Sequence, residues 1–262
     1  MKQSLLRSLR GKISFFESLL AREKSRKSIK QIQNKNATSF EVFYDHSDSN
    51  PLAVLCDYYG SDKGGLLSNE LNFVSFHNYT DFYHLLFGSM REHVKNVFEC
   101  GIGTNNPQLK SSMGLKGKPG ASLRVWRDYF PNAKIYGVDI DKEIIFQEDR
   151  IVTFYCDQTS KESIVRFLEN ASLAPGSLQI IIDDGLHEYQ AGISLFQEMK
   201  EYISSDGFYI IEDVRKSDKL KYINYFNKFR KQFDCYIVNL HRNSAKLGDN
   251  SLIVLRPRLG FE

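Results

Sequence analysis

The stretch NVFECGIGTNN, residues 96–106, opens on a short apolar run, reaches an acid, and then turns through Gly101-Ile102-Gly103. An acid followed by Gly-x-Gly at a strand's end lets the backbone turn tightly beside a ligand. Alone the pattern is weak, because glycines at strand ends also make plain turns. What surrounds it decides the fold. β-rich runs at 96–102, 134–140, 151–157, 178–183, 207–214, 235–241 and 251–256 alternate with helical patterns near 121–130, 142–146, 160–170, 189–204 and 218–232. This alternation predicts an α/β fold: a Rossmann-like, doubly wound, mostly parallel seven-stranded sheet with helices on both faces. The strands are continuous apolar runs, as expected when both faces are covered. Only residues 242–250 join the last two, too few for a crossover helix, so these should pair antiparallel as a C-terminal hairpin.

A chain of 262 residues has ample core for one large domain. Four cysteines (Cys56, Cys100, Cys156, Cys235) lack any metal-site spacing and are expected to be reduced. No apolar run approaches the ~20 residues of a membrane span. Nor do the interspersed charges of MKQSLLRSLRGKISFF leave room for a signal peptide. A cytoplasmic protein without a transmembrane segment is the expectation. The net charge of +3 is uneven: residues 1–36 hold ten Lys/Arg and two Glu, leaving the remainder near −5. A nucleic-acid partner is therefore not expected, since such a protein is basic on its domain surface and not on a tail. Leu5, Leu9, Ile13, Phe16 and Leu20 recur at helical spacing, predicting a basic amphipathic helix to about residue 22 and a lysine-rich linker after it. Such a helix packs on its own domain or on a partner subunit, which makes a homo-oligomer plausible. Peripheral contact of residues 1–22 with an anionic membrane surface is the alternative.

Ligands of open α/β sheets bind at the carboxyl ends of the strands, near the switch point. Three successive strand ends here are polar. The first is the glycine turn. The second, IYGVDID, places Asp139 where a carboxylate would accept both hydroxyls of a ribose. The third, YCDQ, offers Asp157 or Gln158 to an adenine edge. The dinucleotide fingerprint does not fit. Its third glycine falls on Asn106, and Asp139 lies 36 residues past Gly103 rather than about 20. A nicotinamide oxidoreductase is disfavoured on that ground and by the terminal hairpin.

The chain resembles the class I S-adenosylmethionine-dependent methyltransferases. More narrowly, it resembles the metal-dependent O-methyltransferases that tailor sugars in macrolide antibiotics and bacterial surface polysaccharides. The matching residues are YGSDKG at 59–64, HNY at 77–79, Glu99-x-Gly101-x-Gly103, ASLRxW at 121–126 and DYFPNA at 128–133. Gly137-x-Asp139-Ile140-Asp141, Asp183-Asp184-Gly185-x-His187 and Glu212-Asp213 complete the set. The likeness runs from about residue 57 to 214, with the terminal hairpin. It implies that Glu99, Gly101 and Gly103 line the methionine part of the cofactor, with Gly120 and Ser122 nearby. Asp139 and Ile140 would meet the ribose, and Asp157 or Gln158 the adenine. Residues 104–119, TNNPQLKSSMGLKGKP, separate the glycine turn from its helix, and a loop this long is commonly a lid or binding segment.

The two remaining strand ends, IIIDDGLH and FYIIEDV, carry acids and a histidine. Methyl transfer from a sulfonium to a sugar hydroxyl needs that hydroxyl activated. A divalent cation lowers its pKa, and a positioned histidine takes its proton. Hard oxygen donors at Asp184, Glu212 and Asp213 suit magnesium. The resemblance assigns these three as metal ligands and His187 as general base, and leaves Asp183 to face the sulfonium or support the site. It also makes Lys63, His77 and Tyr79 candidates for the substrate. Each residue has a plainer reading: Asp184-Gly185 is a good turn pair, and a lone histidine is more often structural. The implied reaction is methylation of a sugar or nucleotide-sugar hydroxyl, dependent on Mg2+ or another divalent cation, in capsule or lipopolysaccharide biosynthesis; the alternative is methylation of a non-sugar oxygen, such as a phosphate-derived capsule modification. The expected organisation is a basic helix and linker over 1–50, a helical cap contributing to the site over 51–93, and the Rossmann-like domain over 94–262.

Overall fold

A computed structural model of the protein describes residues 38–44, 50–64, 79–242 and 250–258. The amphipathic pattern at 1–22, its proposed membrane or subunit contact, and His77 lie outside the described residues.

All seven expected strands form, and two more extend the sheet at its edges. In chain order the strands are β1 (Thr38–Tyr44), β2 (Asn96–Cys100), β3 (Lys134–Asp139), β4 (Gln147–Glu148), β5 (Ile151–Tyr155), β6 (Leu178–Asp183), β7 (Ile203–Ile211), β8 (Phe233–Arg242) and β9 (Ser251–Pro257). They make one sheet in the order β1-β8-β9-β7-β6-β2-β3-β5-β4. From β2 the chain winds one way through β3 and β5, then returns to β2's other side with β6 and β7, all parallel. The expected C-terminal hairpin is present, with β8 and β9 antiparallel and β9 inserted beside β7.

The apolar runs are continuous because each strand buries both faces. In β2, Val97 and Phe98 are both fully buried but join different cores, as the two-residue period requires. Phe98 packs with Phe167, Phe196 and Tyr209 under α4 (Lys161–Ala171), α5 (Tyr189–Met199) and α6 (Lys219–Phe226). Val97 packs with Trp126, Tyr129 and Phe87, beneath α1 (Pro51–Tyr59), α2 (Thr80–Phe87) and α3 (Ala121–Tyr129). All four cysteines are free, as expected. No helix among the described residues is long and apolar enough to cross a membrane.

The structure corrects three expectations of local structure. The segment read as linker up to residue 50 contains β1, which pairs parallel with β8 and is fastened by Asn239 Nδ2 donating to Glu41 Oε1 at 2.7 Å. The helix expected at 142–146 is one turn of 3-10 helix followed by β4. Ile144, Ile145 and Phe146 pack against the core there, and β4 pairs antiparallel with β5. The helix expected at 189–204 ends at Met199, and β7 starts four residues early, at Ile203. An irregular step in its pairing with β6 then absorbs the extra residues before Phe208.

Candidate active site

The strand registers bring the polar residues to one edge. Cys100 stands opposite Asp183, Asp183 opposite Ile211, and Asp139 ends β3 beside Tyr155. The turn after β2 and the turn after β6 cross in contact. Gly101 takes φ +85°, and a Cβ there would lie 2.1 Å from the Asp184 carbonyl oxygen. Only glycine permits that approach.

Two cavities adjoin at this crossing, and Gly101, Ser111 and Asp139 line both. The first, about 290 Å3, lies over the ends of β3 and β5 and is walled by Ile140, Asp157, Gln158 and Leu186. Asp139 caps the β2 turn, accepting from Ile102 N at 3.0 Å and Asp141 N at 2.9 Å. Each of its oxygens keeps a lone pair for a ligand. Ile140 is 45% exposed, a flat apolar surface at the cavity. Gln158 lines the wall, but its amide is already engaged: Nε2 donates to Asp183 Oδ1 at 2.8 Å, and Oε1 accepts from Leu186 N at 2.7 Å. Gln158 and Asp183, both expected at the cofactor, are thus turned toward each other and brace the β6 turn. Burial pushes the Asp183 carboxyl up to about 6, although Gln158 and Gly185 N oppose the shift.

The second cavity, about 240 Å3, is lined by Asp184, His187 and Asp213 together with Ser122 and Lys118. His187 Nδ1 lies 3.2 Å from Asp213 Oδ2, and Nε2 lies 3.9 Å from Asp184 Oδ1. One donor atom from each of the three residues falls within 4.8 Å of the others, and carboxylate oxygens are hard donors, so the set fits a small divalent cation. His187 and Asp213 both adopt left-handed backbone, at φ 55° and 52°. Such conformations cost on the order of 1–3 kcal/mol each outside glycine and cluster at functional sites. Burial lowers the His187 pKa, but the Asp213 hydrogen bond and the charges of Asp184 and Asp213 outweigh it, raising the imidazole to about 9.

Behind this wall lies a buried ionic cluster. Glu99 is fully buried under Gly101, accepting from Ser122 Oγ at 2.7 Å and from Trp126 Nε1 at 3.1 Å. Burial pushes its carboxyl up to about 7, with Lys63 opposing. Lys63 follows α1 and sends its ammonium into the cluster: 2.5 Å from Asp184 Oδ2, 2.6 Å from Glu212 Oε2 and 3.3 Å from Glu99 Oε1. Burial lowers the Lys63 pKa, but the three carboxylates hold it well above the ordinary lysine value. Tyr83 closes the other side of Glu212, its hydroxyl 2.5 Å from Oε1, and the Tyr79 hydroxyl donates to Asp213.

The geometry adds partners to four residues singled out in the sequence. Glu212, expected among the metal ligands, meets Lys63 and Tyr83, while His187 stands near Asp184 and Asp213. Lys63 and Tyr79, expected to meet substrate, are 3% and 1% exposed, and their polar atoms serve the acids. Glu99 is held by Ser122, Trp126 and Lys63 and lines neither cavity. Gly120 takes φ +72° ahead of α3, and Ser122 borders the second cavity.

Sequence reasoning flagged the loop at 104–119 without placing it. Asn105 Nδ2 ties it together by donating to the Gly114 and Gly117 carbonyls at 2.5 and 3.0 Å, and Met113 N donates to Thr104 O at 2.8 Å. So held, Leu109 and Ser111 wall the first cavity, and Ser111 and Met113 the second.

The fold matches solved structures. The MycE methyltransferase of the mycinamycin biosynthetic pathway, in complex with Mg, SAH and mycinamycin VI, aligns with a TM-score of 0.57 at 21% identity, over 79% of this chain and 54% of that one. The chain shares the fold of this methyltransferase. In sequence it is similar to 8-demethyl-8-alpha-L-rhamnosyl tetracenomycin-C 2'-O-methyltransferase of Streptomyces olivaceus, 31% identical over 173 residues. That match covers 66% of this chain and 40% of the relative. Mycinamicin VI 2''-O-methyltransferase of Micromonospora griseorubida is 32% identical over 164 residues, 62% of this chain and 36% of the relative. The chain thus spans about two-fifths of the length of the curated relatives it matches. No family model matches it.

Proposed function

We propose that this chain is an S-adenosylmethionine-dependent, Mg2+-dependent O-methyltransferase acting on a sugar hydroxyl. The observation that carries the reading is the pair of adjoining cavities: one shaped by Asp139, Ile140 and Asp157, the other by Asp184, His187 and Asp213, with Gly101 between them. The first suits a nucleoside. Asp139 accepts the ribose hydroxyls, Ile140 packs on the base, and Asp157 takes its polar edge. The methionine end then runs over Gly101 and Gly103 toward the acids, with Ser122 beside it.

In the second cavity Asp184 and Asp213 hold the cation. A divalent cation held there would neutralise those acids and lower the pKa of an acceptor hydroxyl. His187 accepts the hydroxyl proton. Asp213 and Asp184 favour the protonated imidazole, and a cation held by these acids would offset their charge and leave His187 free to accept a proton. Tyr79 orients Asp213, and the left-handed backbone at 187 and 213 aims both side chains into the cavity.

The relatives named above act, by their names, on sugars carried by tetracenomycin and mycinamicin. They support a glycosidic sugar as acceptor and lend no support to the capsule or lipopolysaccharide setting expected from the sequence. Incubation with radiolabelled S-adenosylmethionine and a panel of glycosides and nucleotide-sugars, with Mg2+ or with EDTA, tests the reading. Label should enter a sugar only with the cation. Transfer undiminished in EDTA would remove the metal from the mechanism.

A further inference from the structure

Lys63 stands out among the buried charges because the proposed reaction does not use it. Its ammonium reaches carboxylates from the ends of three strands, at 2.5 Å (Asp184), 2.6 Å (Glu212) and 3.3 Å (Glu99). Lys63, Glu99 and Glu212 are at most 3% exposed, so solvent does not share in balancing these charges. Removing one partner from such a cluster leaves an uncompensated buried charge. The residue is also not walled in, since Lys63 lines the second cavity with Ser61 and Asp62.

The two cationic demands on Asp184 overlap. One of its oxygens is taken by Lys63, and the other faces His187 and Asp213. Glu212 has both oxygens engaged, one by Lys63 and one by Tyr83. A divalent ion brought to Asp184 meets a fixed positive charge a few ångströms away, and like charges at that range in a poorly solvated site repel strongly. The ammonium therefore occupies part of the coordination that the acids offer.

We propose that Lys63 is a built-in counter-cation with which the divalent metal competes for Asp184 and Glu212. The inference rests on the metal reading of the site. Lys63 keeps the acids assembled and neutralised before the metal arrives. Metal entry draws Asp184 away from the ammonium, which swings toward the cavity it already borders, and frees Glu212 as a further oxygen donor. The lysine thereby sets the metal affinity, and a metal-free protein stays folded around acids that would otherwise repel one another.

Calorimetric titration of the full chain with Mn2+, on wild type, Lys63→Met and Lys63→Arg, tests this. Lys63→Met should bind Mn2+ at least about tenfold more tightly, since a repelling charge has gone. Its melting temperature should start below wild type and rise further on metal addition. Lys63→Arg, which keeps the charge, should bind no more tightly than wild type. Metal affinity unchanged or weakened in a cooperatively folded Lys63→Met overturns the proposal. Should that variant not fold, acetylation of Lys63 in the wild type, read by peptide mass spectrometry, decides. Saturating Mg2+ should speed labelling, and unchanged labelling overturns the competition. Absence of Mn2+ binding in all three proteins, with S-adenosylhomocysteine still bound, refutes the metal reading itself.

Discussion

Gly101→Ala is the substitution that tests the crossing of the two turns most sharply. Gly101 has φ +85°, and an added Cβ would sit 2.1 Å from the Asp184 carbonyl oxygen, 2.6 Å from its carbon and 2.7 Å from Gly185 Cα. All three are backbone atoms, and neither turn is free to yield. Asp184 N donates to Cys100 O and Gly101 N donates to Val138 O, each at 2.9 Å. Left-handed backbone costs an L-residue roughly 1–2 kcal/mol. Forcing a packed segment aside adds about 1–3 kcal/mol. A loss of about 2–5 kcal/mol is expected, a large part of the roughly 5–15 kcal/mol that holds a domain folded. Gly114→Ala separates the two terms, because Gly114 also has positive φ (+75°) but nothing lies within 4 Å of its added Cβ. It should lose only the backbone term. Urea denaturation followed by circular dichroism measures the stabilities, and calorimetry with S-adenosylhomocysteine measures the site. Gly101→Ala should lose ligand binding while Gly114→Ala keeps it. Equal effects of the two substitutions, or unaltered binding in Gly101→Ala, would refute the crossing as the site's foundation.

Three further outcomes are expected. Burial raises the Glu99 carboxyl to about 7 from 4.5, so its stabilising contribution is complete below pH 4.5 and is lost as pH rises through about 7. The stability difference between wild type and Glu99→Gln should shift by about 3 kcal/mol between pH 4.5 and 8, against wild type, in urea titrations at each pH. Tyr83→Phe removes the hydroxyl that donates to Glu212 Oε1 and should cost about 1–3 kcal/mol in the same assay, the penalty of an unsatisfied buried acceptor. His187→Ala should bind S-adenosylhomocysteine as wild type does, yet slow single-turnover methyl transfer about 10²–10⁴-fold, the usual worth of a general base. A single-turnover rate near wild type would exclude His187 from proton transfer.

The doubly wound core was legible because its strands are apolar on both faces, so runs such as IIID at 180–183 announce themselves without reference to partners. β1 was not, because SFEVFY lies beside a lysine-rich tail and pairs with β8, some 200 residues away. The polar strand ends were legible as a set. The division of labour among them was not. Nothing in the sequence beside Glu212 announces that Lys63, 149 residues earlier, reaches its carboxylate. Gln158 likewise read as a ligand group because it follows a strand, while its actual partners, Asp183 and Leu186, come from the next crossover. The left-handed backbone at His187 and Asp213 left no glycine to mark it. Strand-end spacing therefore singled out the polar groups that the fold gathers at one sheet edge, and long-range pairing decided which side chains face the cavities.

The central claim is that the first cavity takes the methyl donor's nucleoside. Calorimetric titration of the wild type and of Asp139→Ala with S-adenosylhomocysteine, and of the wild type with NADH, addresses it directly. The account predicts saturable binding of S-adenosylhomocysteine that is strongly weakened in Asp139→Ala, and none of NADH. Tight NADH binding, or S-adenosylhomocysteine binding indifferent to Asp139, would contradict it.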